Sequence, residues 1–255
     1  MTEARKLQLQ QAANLLVEAR KSGNLIATLP SELHAQDASE HEYIADHVAP
    51  AFGPIGGYKI GAPNLEATPS FAPMPAAWFA PSGTCPTGIH WHYRGLEAEI
   101  AFQVGTDLPP RDTPYTREEA IAAMASCHPV IEILETGFID PAVLDPKLPL
   151  SDLQRNGGFV YGAAIPNWQS IDFHTERVTL AVNGDIKVER TGSNTSGDLL
   201  RLLPYLANQH ARTGGLKAGQ WITTGSWTGN TFAQLGDSVD VVFSTAGKVT
   251  FSFPS

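Results

Sequence analysis

Near the start of the chain, apolar residues recur at helical spacing. Leu7, Ala12, Leu15, Leu16 and Ala19 mark a helix over residues 2–22, and Ser22-Gly23-Asn24 supplies its stop. Ser39, with Glu42 three positions on, forms a capping-box pattern for a second helix over 39–48, whose apolar side carries Tyr43, Ile44, His47 and Val48. Past Ala51 the texture changes. Glycine and proline recur every few residues and the apolar runs become short and β-branched, which predicts strands over 57–60, 96–104, 130–134, 159–163, 178–182, 186–189, 220–224, 239–243 and 249–253. Asn183-Gly184 has the composition of a type I′ hairpin turn, and Gly247 joins the last pair of strands. Helices are predicted over 116–126, opened by Thr116 with Glu119, and over 197–212, with Leu199, Leu202, Leu203, Leu206 and Ala207 on one side. The pattern is that of an α+β chain with a helical segment over 1–50 and a β-rich body over 51–255.

Composition narrows the function classes. Charged residues are 17% of the 255, with a formal net charge of −9, and no window clusters the Lys and Arg that phosphate neutralisation requires, so nucleic acid is excluded as a partner. No run approaches the ~18–20 apolar residues of a membrane span. The opening residues mix Glu3, Arg5 and Lys6 with glutamines, unlike a signal peptide, and read as part of the fold. Cys85 and Cys127 are too few and too far apart for a disulfide framework or a zinc site, which points to a reducing cytoplasm. So sparse a surface charge also suggests surface buried between subunits, as in a homo-oligomer.

The chemistry concentrates in a few strands. Glu97 and Glu99 stand two apart on a predicted strand and therefore share a face. Alone, the pair also fits a solvent-facing acidic edge. Glu132 sits inside an apolar run, Val130-Ile131-Glu132-Ile133-Leu134, where an unpaired ionised carboxylate is costly and calls for a partner or a hard cation. Lys59 lies in a short strand flanked by glycines and reads either as an outward lysine or as an anion-binding or proton-moving group. His90 and His92 have the same alternate spacing but lack a third imidazole at a metal-binding interval. Thr224-Gly225-Ser226 forms a hydroxyl-rich turn suited to a carboxylate, or simply a turn.

Taken in order, the motifs around Lys59, Glu97-Ala98-Glu99, Glu132, Ser151-Asp152 leading to Gly157-Gly158, and Lys217-Ala218-Gly219 with Thr223 to Ser226 resemble the fumarylacetoacetate hydrolase superfamily. Within it they resemble the branch of 2-keto-4-pentenoate hydratases and 4-oxalocrotonate decarboxylases. The resemblance implies a mixed β-roll or sandwich body behind a helical N-terminal cap, a divalent cation (Mg²⁺ or Mn²⁺) and a small anionic 2-oxo acid substrate. It assigns Glu97, Glu99 and Glu132 to the metal, Lys59 and Asp152 to catalysis, and Thr224, Gly225 and Ser226 to substrate binding. The first reaction it implies is hydration of a 2-hydroxypenta-2,4-dienoate-type acid in aromatic catabolism. Decarboxylation of a 2-oxo acid, or acylpyruvate C–C hydrolysis with His90 or His92 as base, is the alternative. A further alternative is a non-catalytic partner or small-acid-binding subunit, and a complex with a pathway partner enzyme fits either case. The chain departs from the branch in having no acidic residue between Glu66 and Glu97, and Asp198 where Gly-His-Pro is usual, which marks it as a divergent member.

Overall fold

A computed structural model describes residues 1–255. The helices are α1 (Glu3–Ser22), α2 (Ala38–Val48), α3 (Arg117–Ala122), α4 (Leu148–Ser151), α5 (Leu202–Ala207) and α6 (His210–Thr213). In chain order the strands are β1 (Ile55–Gly61), β2 (Ser70–Pro75), β3 (Phe79–Pro81), β4 (Gly95–Val104), β5 (Met124–Leu134), β6 (Asn156–Tyr161), β7 (Arg177–Val182), β8 (Asp185–Thr191), β9 (Trp221–Thr223), β10 (Thr231–Phe232), β11 (Ser238–Phe243) and β12 (Gly247–Ser252).

Two sheets face each other in this mixed α+β fold. The larger runs β2-β1-β9-β4-β5-β6-β3, with β10 also paired to β4, and the smaller runs β12-β11-β7-β8. In the larger sheet β1 lies parallel to β9 and β3 parallel to β6, while β4 is antiparallel to β5 and β9. Alternation along β4 explains the layering. Leu96, Ala98, Ile100 and Phe102 point into a core shared with Leu180 of β7 and with Val239 and Val241 of β11, leaving Glu97 and Glu99 on the opposite side. β9 can come close to β1 because Gly57 has no side chain: a Cβ there would stand 2.1 Å from the Trp221 carbonyl oxygen.

The amino-terminal helices form a second core with residues from the connections of the larger sheet and from α4. Leu9, Leu16, Ile44 and Val48 pack with Trp78, Phe138, Leu148 and Leu153. α1 presents Leu9, Ala12, Ala13, Leu16, Ala19 and Arg20 inward, whereas Leu7 and Leu15, read from the sequence as part of its apolar face, are exposed.

Several boundaries differ from expectation for definable reasons. Asp37, not Ser39, caps α2, its carboxylate accepting the Glu40 N–H at 3.0 Å. The Thr116–Glu119 capping box forms, but α3 ends at Ala122 and Met124–Ser126 open β5, drawn into the ladder with β4. The stretch 197–212 breaks into a 3₁₀ turn and the short helices α5 and α6, since Pro204 is tolerated only in the first turn of a helix. β2 and β3 escape the strand pattern because of Pro73, Pro75 and Pro81, and both lie at sheet edges, where a missing N–H is harmless. Asn183 and Gly184 take φ of 53° and 83°, as the expected hairpin turn requires. The two cysteines are unpaired, and no helix is long and apolar enough to cross a membrane.

Candidate active site

Register brings the carboxylates together. The β4–β5 ladder sets Glu97 directly opposite Glu132, and Glu99 lies two positions along the same face as Glu97. One oxygen from each of the three glutamates lies within 4.8 Å of the others. Glu132 and Glu99 are almost fully buried. Like charges opposed across a ladder repel, and burial compounds the repulsion. Burial, together with Glu132 and Glu97, holds the Glu99 carboxyl well above the usual carboxylate range. Burial also raises Glu97, though Lys59 pulls the other way.

The surrounding elements secure these groups. The Thr223 hydroxyl at the end of β9 and the Gly225 N–H, 2.9 Å away, both donate to Glu99 Oε2. Asn156, at the head of β6, donates Nδ2–H to Glu132 Oε1 at 2.9 Å. Lys59, on β1, donates Nζ–H to the same oxygen at 2.6 Å and to the Gln154 carbonyl at 3.1 Å. Burial works against the ammonium charge, but Glu132, Glu97 and Glu99 outweigh it and raise the lysine above its ordinary value.

The donor set fits a hard divalent cation. Three carboxylates against one ammonium leave an excess negative charge of two. Glu132 Oε2 is buried with no hydrogen-bond partner, as is Asn156 Oδ1 beside it. An orphaned carboxylate oxygen within an all-oxygen cluster is what coordination to such an ion would satisfy.

Asp152 occupies a different place from this cluster. It is fully buried beneath it, its carboxylate taking Arg20 Nε–H at 2.6 Å, the Thr136 hydroxyl at 2.5 Å and Gly137 N–H at 2.8 Å. Arg20, from the last turn of α1, also donates to the carbonyls of Asn156 at 2.9 Å and Glu135 at 2.8 Å. This assembly carries a rare backbone feature. Leu153, Gln154 and Arg155 all have left-handed φ, of 54°, 52° and 65°. The turn is what aims the Gln154 carbonyl at Lys59.

Of the other expected residues, Thr224 is buried and turns its hydroxyl onto the Ile100 carbonyl at 2.6 Å. Gly225, at φ 87°, and Ser226 line the cavity above the glutamates. His90 reaches the Lys21 carbonyl, and His92 lies between Glu135 and the Phe138 carbonyl; neither lines that cavity. Thr223, Asn156, Gln154 and Arg20 were not singled out from the sequence. Thr223 lies within a recognised motif and Asn156 adjoins one, whereas Arg20 has no local signal.

The cavity has a volume of about 550 Å³, and its titratable lining is Lys59, Glu97, Glu99 and Arg190. A smaller opening of about 250 Å³ reaches Lys59 and Glu97 from beside Arg155 and Asn230.

No family model matches the chain. Over 162 residues it is 29% identical to a 2-hydroxyhexa-2,4-dienoate hydratase of Comamonas testosteroni, and the match covers 62% of this chain and 59% of that protein. Over 159 residues it is 26% identical to a 4-oxalocrotonate decarboxylase of Pseudomonas putida, again covering 62% of this chain and 59% of the relative. The matched stretch thus spans under two thirds of either relative. A solved 4-oxalocrotonate decarboxylase from Pseudomonas putida G7, complexed with magnesium and adipate, shares the fold with a TM-score of 0.78 at 20% identity, over 99% of this chain and 98% of that one. Sequence relatives and fold agree with the carboxylate geometry: at low identity, the chain is similar to hydratase and decarboxylase enzymes and shares its fold with proteins of the fumarylacetoacetate hydrolase family.

Proposed function

We propose that this protein is a divalent-metal-dependent lyase acting on a small 2-oxo or 2-hydroxydienoic acid, through an enolate, in aromatic catabolism. The observation that carries the reading is the Glu97–Glu99–Glu132 cluster, whose buried Glu132 oxygen has no partner and whose Glu97 and Glu99 line a cavity. Magnesium in the similar decarboxylase structure, and calcium in another complex of that enzyme, support a divalent cation here, with Mg²⁺ or Mn²⁺ the expected species. When bound, such an ion supplies Lewis-acid polarisation of a 2-oxo group and its neighbouring carboxylate. Glu97, Glu99 and Glu132 would hold it.

The chain's own residues account for orientation and proton movement. Lys59 Nζ directs one N–H to Glu132 and one to the Gln154 carbonyl, so its third remains for the cavity. We assign to it the proton at the reacting carbon or oxygen. Gly225 and Ser226 border the space for the substrate's carboxylate, with Thr224 holding their turn to β4. Asp152 acts on Lys59 indirectly, as a positioning residue, through the left-handed turn at Gln154. Residues 1–50 serve as a helical cap on the catalytic body of 51–255, and the protein works as a homo-oligomer in the cytoplasm.

Hydration of a 2-hydroxypenta-2,4-dienoate-type acid is the first reaction, supported by the hydratase relative. The cavity lining favours decarboxylation as a second reading. Loss of CO₂ needs one proton donor afterwards, which Lys59 supplies, while hydration also needs a water activated and the lining offers no further base beyond the metal-site glutamates. Incubation with Mg²⁺ and, separately, a 2-hydroxydienoate and 4-oxalocrotonate distinguishes them. Loss of dienoate absorbance identifies hydration, and CO₂ release identifies decarboxylation. Silence with both substrates, in protein whose melting temperature Mg²⁺ does not raise, would refute the metal-dependent reading.

A further inference from the structure

Resting on the metal-site reading above, we propose that Arg190 is a specificity residue that binds a second, distal carboxylate, so that the cavity takes a dicarboxylic 2-oxo acid, the substrate type of the second reading, in preference to the monocarboxylic type of the first. The argument begins with strand register. β8 is the outer strand of the smaller sheet, and its pairing with β7 sets Val188 opposite Leu180 and Arg190 opposite Val178. Residues directly opposed in an antiparallel pair share a face. Leu180 and Val178 are fully buried in the core, so this is the inward face, and Val188 on it is half-buried. Alternation calls for another apolar residue at 190. An arginine stands there instead, exposed at the rim, and it lines the cavity that holds Glu97 and Glu99.

The segment after β8 is fastened to the carboxylate site. Asn194 Nδ2 donates to the carbonyls of Thr224 and Gly225, each at 3.0 Å, and Gly225 in turn donates to Glu99. Thr195 donates to the Ala62 carbonyl, and Ser193 to that of Trp227. Arg190 therefore emerges from a strand end tied on both sides of the cavity mouth.

Its charge is not committed elsewhere. Glu189, its neighbour, pairs with Arg177, while Arg190 makes its hydrogen bond to the Glu189 carbonyl at 3.1 Å and forms no ion pair. On the floor, three carboxylates are offset by Lys59 and a divalent cation, which leaves Arg190 as the one unbalanced charge in the lining. A guanidinium presents a planar fork matched to a carboxylate. A volume of about 550 Å³ accommodates a small diacid extended from the glutamates to the rim. The competing explanation is that a charge on an outer strand merely deters edge-to-edge association. Arg155, at the smaller opening, is the other arginine near the cluster, but only Glu97 of the three glutamates faces that side, and Arg155 already bonds the Tyr93 hydroxyl.

The test is equilibrium binding, by calorimetry in saturating Mg²⁺, of two probes that differ only in the distal carboxylate: 2-oxohexanedioate and 2-oxohexanoate. The wild-type protein should prefer the diacid by about tenfold or more, the scale of one charge-assisted pair. Arg190→Gln should reduce the preference to within about twofold, with the loss falling on the diacid, and Arg190→Lys should restore part of it. Equal binding of the two probes by wild type overturns the proposal while leaving the metal-site reading intact. A preference that survives Arg190→Gln but disappears in Arg155→Gln overturns it too, as does an Arg190→Gln variant that keeps the preference and self-associates. If neither probe binds with Mg²⁺, the metal-site reading fails and this inference falls with it.

Discussion

Glu97 facing Glu132 across a ladder is a pairing that sheets ordinarily avoid, and its cost is written into the protein without its cation. Neutralising one member should therefore have opposite effects in two conditions. In chelator, Glu97→Gln should raise the melting temperature by about 2–4 °C, corresponding to relief of about 1 kcal/mol in a chain of this size. In Mg²⁺ the same variant should lose most of the metal-induced stabilisation seen in wild type. A fall in both conditions would mean that the charge of Glu97 contributes to stability without a cation. His92 offers a second residue-level test. Burial and the nearby Arg20 oppose its charge, but Nδ1 lies 2.5 Å from Glu135 and Nε2 lies 3.0 Å from the Phe138 carbonyl, so both ring nitrogens meet acceptors and the imidazole is raised above its ordinary 6.5. Burial raises Glu135, yet its bonds from His92 and Tyr93 lower it below the usual range. The stability due to charging His92 is complete below 6.5 and is lost as pH rises through the raised value, whereas that due to Glu135 is lost as pH falls through its depressed one. Denaturant midpoints compared between wild type and His92→Gln should thus converge at alkaline pH and diverge near pH 6.5. Parallel profiles would remove the imidazolium from the account.

Among the elements, the left-handed turn at Leu153–Arg155 is the least expected. Such φ values cost about 1–2 kcal/mol per non-glycine residue, and here the cost is offset by Arg20 gripping Asp152 and the flanking carbonyls. Removing one partner of a buried ion pair is severe. Arg20→Ala should destabilise the protein by about 3–5 kcal/mol, while Gln154→Gly, which relaxes the turn and keeps the carbonyl that serves Lys59, should change stability by under about 1 kcal/mol. Chemical denaturation measures both, and equal losses would show that the side chain of Gln154 matters as much as its backbone. The same turn shows how far the chain can be read without a structure. Glu97, Glu99, Glu132 and Lys59 stand out because each interrupts an apolar run with a charge, and period-two alternation is enough to place the first two on one face. Asp152 was visible as part of a motif, but its partner Arg20 lies 132 positions away and no local pattern couples them. Arg190 hides in a strand that is polar along most of its length. The face of the strand on which it stands, exposed at the cavity rim, comes only from the register with β7. The misread helix over 197–212 and the missed β2 and β3 share one cause, proline placement acting against a hydrophobic pattern.

At the scale of the whole molecule, the net charge of −9 opposes an anionic substrate, so attraction has to be local, from the carboxylate-bound cation, Lys59 and Arg190. That locality is assembled from distant parts of the chain. Lys59 meets Glu132 over 73 positions, Thr223 meets Glu99 over 124, and Arg20 meets Asp152 over 132. Contacts of such separation close large loops and form late, after hairpins such as β7–β8. During refolding in Mg²⁺, the far-ultraviolet signal of the sheets should return before metal-dependent protection does, and a single shared rate for both would contradict this order. The Arg20 grip adds a timing rule of its own. α1 leaves the ribosome well before the residues it must grip, and it cannot complete its bonds until residues 135–156 have emerged, so the carboxylate centre cannot mature until the 132 positions from Arg20 to Asp152 have been made.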